Sequence, residues 1–427
     1  MNSGTDPQAR VRLPAHPFTR GTATHPRGRR AGYVSGAGPG GEGPCRRAGG
    51  RMRKKGRNGA RRRNGRGVDT TVGGEFAPTT TYLNTASHGL LPASAVTALR
   101  EAATEIAEGR VDMTAYFDAV RRARAAFGRL VGVPPERVAT GAAVSLHVSL
   151  VAGALPPGAE VLCAEQEFSS LVTPFAQHGA RLRAVPLTAL AEAVHAGTAL
   201  VVVSAVQSLD GRVADLPAIR AAARQHGVRT LVDVTQAAGW LPVSAADFDF
   251  TVCAGYKWLL CPRGVSFLTV PADGGGLRPL HAGWVAGEEP WNSTYGPVER
   301  LARSARRFDE SPVFLSWVAG ARALELLTGL DAAEIGAHDL RLARRFAAGL
   351  AELGFPPVPA DSAVVSVPGL GDTAQALQEA GVRMAVRGGL LRAAFHLYNT
   401  EHDVDRALEV LASAAGPRVR RRAAPRG

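Results

Sequence analysis

Between residues 160 and 270 six short apolar runs follow one another, at 160–164, 182–186, 199–206, 230–234, 248–254 and 266–270. Helix-patterned stretches at 189–196 and 216–226 lie between them, and another, at 144–153, precedes the first. Nothing else in the chain restricts its fold as strongly. Apolar runs without polar alternation suit strands buried on both faces, and their alternation with helices indicates a mostly parallel sheet covered on both sides. In such sheets ligands bind beyond the carboxyl ends of the strands, so the loops after these runs should carry the chemistry.

The flanks read differently. Helices are expected at 93–109 and 116–131, with order beginning near Thr81. After residue 275 the strand pattern lapses: 277–310 reads as loop, followed by helices at 312–328 and 336–353. Short β segments at 363–367 and 391–396 and a final helix at 402–413 describe a small α+β domain. The expected division is a disordered basic extension at 1–78, an N-terminal arm and large domain at 79–311, a small domain at 312–415 and a basic tail at 416–427.

Charge follows the same division. Residues 1–67 carry 17 Lys and Arg against Asp6 and Glu42, and residues 417–427 add five arginines. The body, 68–416, holds 28 basic and 35 acidic side chains and is net −7, so the formal +13 belongs to the tails. Such tails suit non-specific contact with nucleic acid, although their arginine runs hold no aromatic residue to stack on a base. No apolar stretch reaches the roughly 18 to 20 residues of a membrane helix, and no signal-peptide core follows the basic start. The four cysteines, Cys45, Cys163, Cys253 and Cys261, lack metal-ligand spacing and suggest neither a disulfide framework nor a metal site. A reducing cytoplasm is the expected setting.

One compositional fact is sharper. Of 50 basic residues only Lys54, Lys55 and Lys257 are lysines, so the body holds a single lysine in a chain that otherwise uses arginine. A guanidinium cannot lose its proton near neutral pH, whereas a buried amine can, and can then act as nucleophile or base. Lys257 follows the run ending in Cys253-Ala254-Gly255-Tyr256, and the preceding run ends in Asp233, with Gln236 three residues on. An aspartate after a strand commonly caps a turn. Here two successive strands would bring a carboxylate and the one body lysine to the same sheet edge. Pyridoxal 5′-phosphate (PLP) needs that pair: a lysine to condense with its aldehyde and a carboxylate to keep its ring nitrogen protonated.

These segments resemble the class V aminotransferases, the group that contains cysteine desulfurases, kynureninase and isopenicillin N epimerase. The similarity covers about 80–415 and rests on Asp233-x-x-Gln236 paired with Gly255-Tyr256-Lys257-Trp258-Leu259. It implies the aspartate-aminotransferase-like (type I) α/β fold of PLP-dependent transferases, with PLP as cofactor and an amino acid as substrate. By that resemblance Lys257 takes the aldehyde, Asp233 the pyridine nitrogen and Gln236 the 3′-oxygen, while Ala142 and Ala143 open the helix beneath the phosphate. Phe168 stands where desulfurases stack a histidine on the ring. Ser208 stands where asparagine is usual, and Tyr256 replaces a histidine that reaches the phosphate. Ser311 matches the segment that reaches a neighbouring subunit's phosphate, which implies a homodimer with shared sites. Arg392 is expected to clamp the substrate carboxylate, and Arg387, Ala86 and His88 to wall the substrate entrance.

The resemblance also shows a gap. Only Gly388 to Leu391 separate the two arginines, where desulfurases carry a loop with a nucleophilic cysteine. The sequence around 167–175, 204–215 and 281–296 is similar to the hercynylcysteine sulfoxide lyases of ergothioneine biosynthesis, so the leading expectation is carbon–sulfur β-elimination without a catalytic cysteine. An aminotransferase or amino-acid epimerase is the alternative. A basic nucleic-acid-associated protein with a vestigial PLP site is a third reading, of another class.

Overall fold

The computed structural model describes the backbone of residues 72–423 and the side chains through residue 416. The side chains of the expected basic tail beyond Gly416, its last four residues and all but the end of the expected extension lie outside these residues. In chain order come β1 (Thr81–Tyr82), α1 (Ala93–Ala107), α2 (Met113–Leu130), β2 (Val138–Gly141), α3 (Val144–Ala152), β3 (Glu160–Ala164), α4 (Ser169–Gln177), β4 (Arg181–Val185), β5 (Thr198–Ser204), α5 (Leu216–His226), β6 (Arg229–Asp233), β7 (Phe250–Ala254) and β8 (Ser266–Thr269). Strands β2 to β8 form one sheet in the order β2-β8-β7-β6-β5-β3-β4. Only β8 runs against its neighbours, antiparallel to both β7 and β2. Nearly every residue of β3 and of β5 to β8 is buried, because helices cover both faces. That double burial is what removed polar alternation from the sequence.

The chain continues through α6 (Phe314–Thr328), α7 (Ala332–Glu352), β9 (Val364–Pro368), α8 (Ala374–Glu379), β10 (Val382–Arg383), β11 (Ala385–Arg387), β12 (Leu390–Ala394) and α9 (Glu401–Ala423). Here β9, β11 and β12 make a separate antiparallel sheet, while β1 pairs with β10 and Asn84 bridges to Ala394. The segment leading to α1 is therefore stitched to the C-terminal part of the chain.

Three expectations differ from what the chain does. Residues 189–196 form no α-helix: a single 3-10 turn at Leu187–Ala189 gives way to turns, and His195 takes the Gly197 N–H on its Nδ1 at 3.0 Å. The short α4 was not foreseen because its polar start and Pro174 hide the apolar spacing of buried Leu171 and Phe175. Order begins before Thr81. Val72 is buried, the Glu75 carboxylate accepts both the N–H and the hydroxyl of Ser94, and the Phe76 ring lies 5.2 Å from that of Tyr398. Glu75 thus satisfies an open donor at the start of α1 from outside the helix, a contact that local sequence cannot display.

Candidate active site

Strand register brings the site together. Asp233 is the last residue of β6, paired with Ser204 of β5 on one side and Val252 of β7 on the other. Lys257 lies three residues past the end of β7. The end of β2 delivers Ala142 and Ala143 into α3, the end of β3 leads to Phe168 before α4, and the end of β5 leads to Ser208. All of these line one cavity of about 200 Å³, along with Ser145, Ser170, Thr235, Gln236, Tyr256 and Arg263. It sits at the carboxyl edge of the parallel strands, where the helix-covered sheet leaves an opening.

Lys257 is 5% exposed and forms no ion pair among the described residues; its Nζ lies 5.1 Å from the centroid of Phe168 and 5.8 Å from that of Tyr256. Burial disfavours the charged amine and draws its pKa from 10.5 to about 8, with the nearby Asp233 carboxylate working in the opposite sense. Asp233 is equally buried, and burial raises its pKa while hydrogen bonds from Thr235 and the charge of Lys257 lower it. The Thr235 N–H donates to Asp233 Oδ1 at 2.8 Å, and the Thr235 hydroxyl accepts the Ala254 N–H at 2.9 Å. One threonine therefore ties the Asp233 turn to the end of the strand that carries Lys257.

Gln236 ties them a second time. Its Nε2 donates to the Ala86 carbonyl at 3.0 Å, and its Oε1 accepts the Trp258 indole N–H at 2.7 Å. Gly89 packs against the same turn so closely that a Cβ there would lie 2.0 Å from the Lys257 carbonyl oxygen. Two residues beside the cavity, Gln166 and Leu260, hold positive φ without being glycine, at 61° and 56°. Local backbone strain of this kind persists only where packing enforces it.

Of the residues expected at the site, Lys257, Asp233, Gln236, Ala142, Ala143, Phe168, Ser208 and Tyr256 meet at the cavity. Others stand back from it. Arg392 is buried behind Ser208, donating to the Ser208 carbonyl and, at 2.9 Å, to Ser87 Oγ, while its Nε has no partner. Burial, with Arg387 nearby, lowers its pKa to about 10. Arg387 itself is exposed and reaches the same Ser87 hydroxyl at 3.5 Å. Ala86 is buried and offers its carbonyl to Gln236, so it braces the site without facing the cavity. His88 turns Nδ1 to the Gly89 carbonyl at 2.7 Å and sets its ring 6.0 Å from Tyr256. Ser311 is exposed and does not line the cavity.

Sequence reasoning assigned no part to four other residues. The Glu167 carboxylate accepts the Ser204 N–H, the Ser204 hydroxyl and the Gln207 amide, fastening the β3 loop to the end of β5. Glu310 accepts the Ala142 N–H at 3.1 Å. His147, buried on α3, pairs Nε2 with Ser266 Oγ at 3.0 Å; burial lowers its pKa to about 4 and its Nδ1 is unpartnered. Arg263 lines the cavity with its guanidinium 4.1 Å from the Tyr256 ring centroid. Only Arg263 carried a usable signal, as a charged residue six positions past the lysine.

These residues fit PLP. A buried amine of lowered pKa that forms no ion pair among the described residues, a buried carboxylate on the adjacent strand, a flat aromatic face and an uncapped helix start converge on one space. Among the described residues no thiol joins them: Cys163, Cys253 and Cys261 are buried, unpaired and off the cavity wall, and burial raises the pKa of each. Among the described residues no cluster of His, Cys, Asp and Glu is arranged to hold a metal ion, and no helix is long and apolar enough to cross a membrane.

Residues 81–407 match the family described as aminotransferase class-V. An isopenicillin N epimerase of Amycolatopsis lactamdurans is 32% identical over 341 residues, spanning 68% of this chain and 83% of that protein. An uncharacterised aminotransferase of Bacillus subtilis strain 168 is 26% identical over 77% of this chain and 94% of its own length. Among solved structures, the cystine C–S lyase C-DES in complex with its product cysteine persulfide gives a TM-score of 0.71 at 24% identity, over 78% of this chain and 97% of that one. A cysteine desulfurase of Thermococcus onnurineus NA1 gives 0.69 at 20% identity, over 78% and 94%. At these identities the structures establish the fold, that of the type I PLP enzymes.

Proposed function

The chain belongs to the class V aminotransferase family and uses PLP, and from that premise we propose that it cleaves a carbon–sulfur bond of an amino-acid substrate by β-elimination, with Lys257 as the base and no cysteine in the reaction. The observation that carries this reading is the contrast between the cavity's lone amine and its missing thiol. Lys257 sits in the cavity with a pKa of about 8, while all three described cysteines are buried elsewhere. A thiolate route would require an exposed sulfur of low pKa beside the cofactor.

Each residue then has a defined task. Lys257 would hold the cofactor by its aldehyde and is placed to act as the base that takes the Cα proton. PLP supplies a ring that accepts the charge left at Cα, and Asp233 keeps that ring protonated. Gln236 has one amide hydrogen left for the ring's 3′-oxygen after serving Ala86. Phe168 covers the ring face without carrying a proton. Arg392, whose Nε lacks a partner, receives the substrate carboxylate as the Ser208 loop yields, with Arg387 at the outer wall.

Identity of 32% to an isopenicillin N epimerase favours a second reading, epimerisation at Cα. That outcome returns the proton on the opposite face, for which Tyr256 is the cavity's remaining acid of suitable type. A panel of S-substituted cysteines and plain amino acids, scored for pyruvate and sulfur release against deuterium uptake at Cα and keto-acid exchange, separates the readings. Deuterium uptake with every substituent retained would sink the elimination. We also read the protein as a homodimer in which Ser311 serves the partner's site. Exposed Ser311, Trp291 and Tyr295 within one stretch support this, and sedimentation as a monomer would refute it.

A further inference from the structure

Three charged side chains line the cavity among the described residues: Asp233, Lys257 and Arg263. PLP presents three groups that call for a charged or reactive partner, namely its ring nitrogen, its aldehyde and its phosphate. Asp233 and Lys257 answer the first two. Arg263 remains, and the phosphate remains.

The place where a phosphate would settle is poorly supplied. Ala142 and Ala143 face the cavity at the start of α3, a nine-residue helix whose first turn receives no side-chain cap. Open N–H groups and the positive end of the helix dipole favour an anion there. Yet positions 142, 143 and 254 on the cavity wall carry only methyl groups. The Ala142 N–H is already given to Glu310 at 3.1 Å, so one donor is spent and a half-buried carboxylate stands beside the cup. Thr140 and Asp309 hold that carboxylate's segment in place: the Glu310 N–H donates to the Thr140 carbonyl, and Asp309 accepts the Thr140 N–H. A phosphate entering such a cup meets a negative charge, and on the first turn of α3 only the Ser145 hydroxyl offers it a side-chain donor. It needs a cation.

Arg263 is prepared for that role. Its guanidinium rests over the Tyr256 ring, with the CZ carbon 4.1 Å from the centroid, and makes no ion pair or hydrogen bond among the described residues. Its backbone is fixed, because the Arg263 carbonyl accepts the Ser316 hydroxyl at 2.7 Å. The arginine is therefore oriented by stacking and spent on nothing, and its planar fork suits two phosphate oxygens at once. We propose that Arg263 is the phosphate-binding cation of this site, supplying the positive charge that the Glu310-occupied start of α3 lacks. The inference rests on PLP being the cofactor and is independent of which reaction follows.

The test compares PLP with pyridoxal, which lacks the phosphate, by absorbance titration of the cofactor-free chain. Arg263→Met keeps the apolar stem and removes the fork; Arg263→Lys keeps the charge. PLP affinity should fall roughly 10- to 100-fold in the Met variant, the scale of a lost hydrogen bond between charged groups. Pyridoxal affinity should not change, and the Lys variant should recover part of the loss. Equal losses for both ligands would mean that Arg263 only shapes the cavity. Unchanged PLP affinity with a raised KM would mean that it reads the substrate. Either result overturns the proposal. A wild-type chain that binds neither ligand would overturn the cofactor assignment itself, and the proposal with it.

Discussion

The indole N–H of Trp258 donates to Oε1 of Gln236 at 2.7 Å, which locks the residue after Lys257 to the turn that begins with Asp233. The spacing of the two reactive groups is thus held by their sequence neighbours, through groups that are themselves fully buried. Gln236 serves two distant parts of the scaffold with one amide.

Substituting Asp233 and Gln236 should therefore give different kinds of damage. Asp233→Ala should fold and lose most turnover, since nothing else in the cavity can hold a proton on the ring nitrogen. Gln236→Ala should keep more turnover but strand the Trp258 N–H in the core, costing roughly 1–3 kcal/mol, read as a lower urea midpoint. Equal, mild losses of activity with unchanged midpoints would mean the cofactor lies elsewhere.

The purified protein should be yellow, and borohydride should fix the cofactor covalently to Lys257. Peptide mapping checks this. Label on any other residue removes the basis of the site, whereas Lys257→Ala should remain folded and fail to turn over.

Uptake of PLP by the cofactor-free chain should depend on pH through Lys257. Only the neutral amine condenses with an aldehyde, so the rate should rise about tenfold per pH unit below the lysine's pKa of about 8 and level off above it. Stability has a matching sign. The unfolded chain binds this proton more tightly, since the ordinary value is 10.5, so this group adds stability as pH rises from about 8 to 10.5. Below that window the cost of burying the charge is present in full. A capture rate that keeps climbing log-linearly beyond pH 9 in stopped-flow absorbance would contradict the lowered pKa.

Replacing all four cysteines by serine should leave most of the turnover, apart from packing losses at buried Cys163, Cys253 and Cys261. The critical single variant is Cys261→Ser, because that thiol lies four residues past the lysine. Its burial, with Sγ 3.8 Å from the Gly320 carbonyl, raises its pKa and makes it a core residue. A trapped persulfide on the enzyme, or turnover abolished with PLP still bound, would return the chemistry to a cysteine nucleophile.

The sequence by itself determined the strand–helix alternation and the two groups at the heart of the site. Double burial writes strands as apolar runs, and a single body lysine among arginines is a chemical choice visible without coordinates. Position along the strands then placed Asp233 and Lys257 at one sheet edge. What lay beyond reach was decided by contacts between distant segments. Glu75 caps α1 from outside it, Glu310 takes the Ala142 N–H from 168 residues away, and Ala86 holds Gln236 from 150. Arg392, expected as a clamp, proved to be buried against Ser208 and Ser87 across two other segments. Local pattern encodes which face a residue buries; which partner it meets depends on strand order and loop packing. Only the folded chain sets these, because each such bond gains its energy from groups that the sequence leaves far apart.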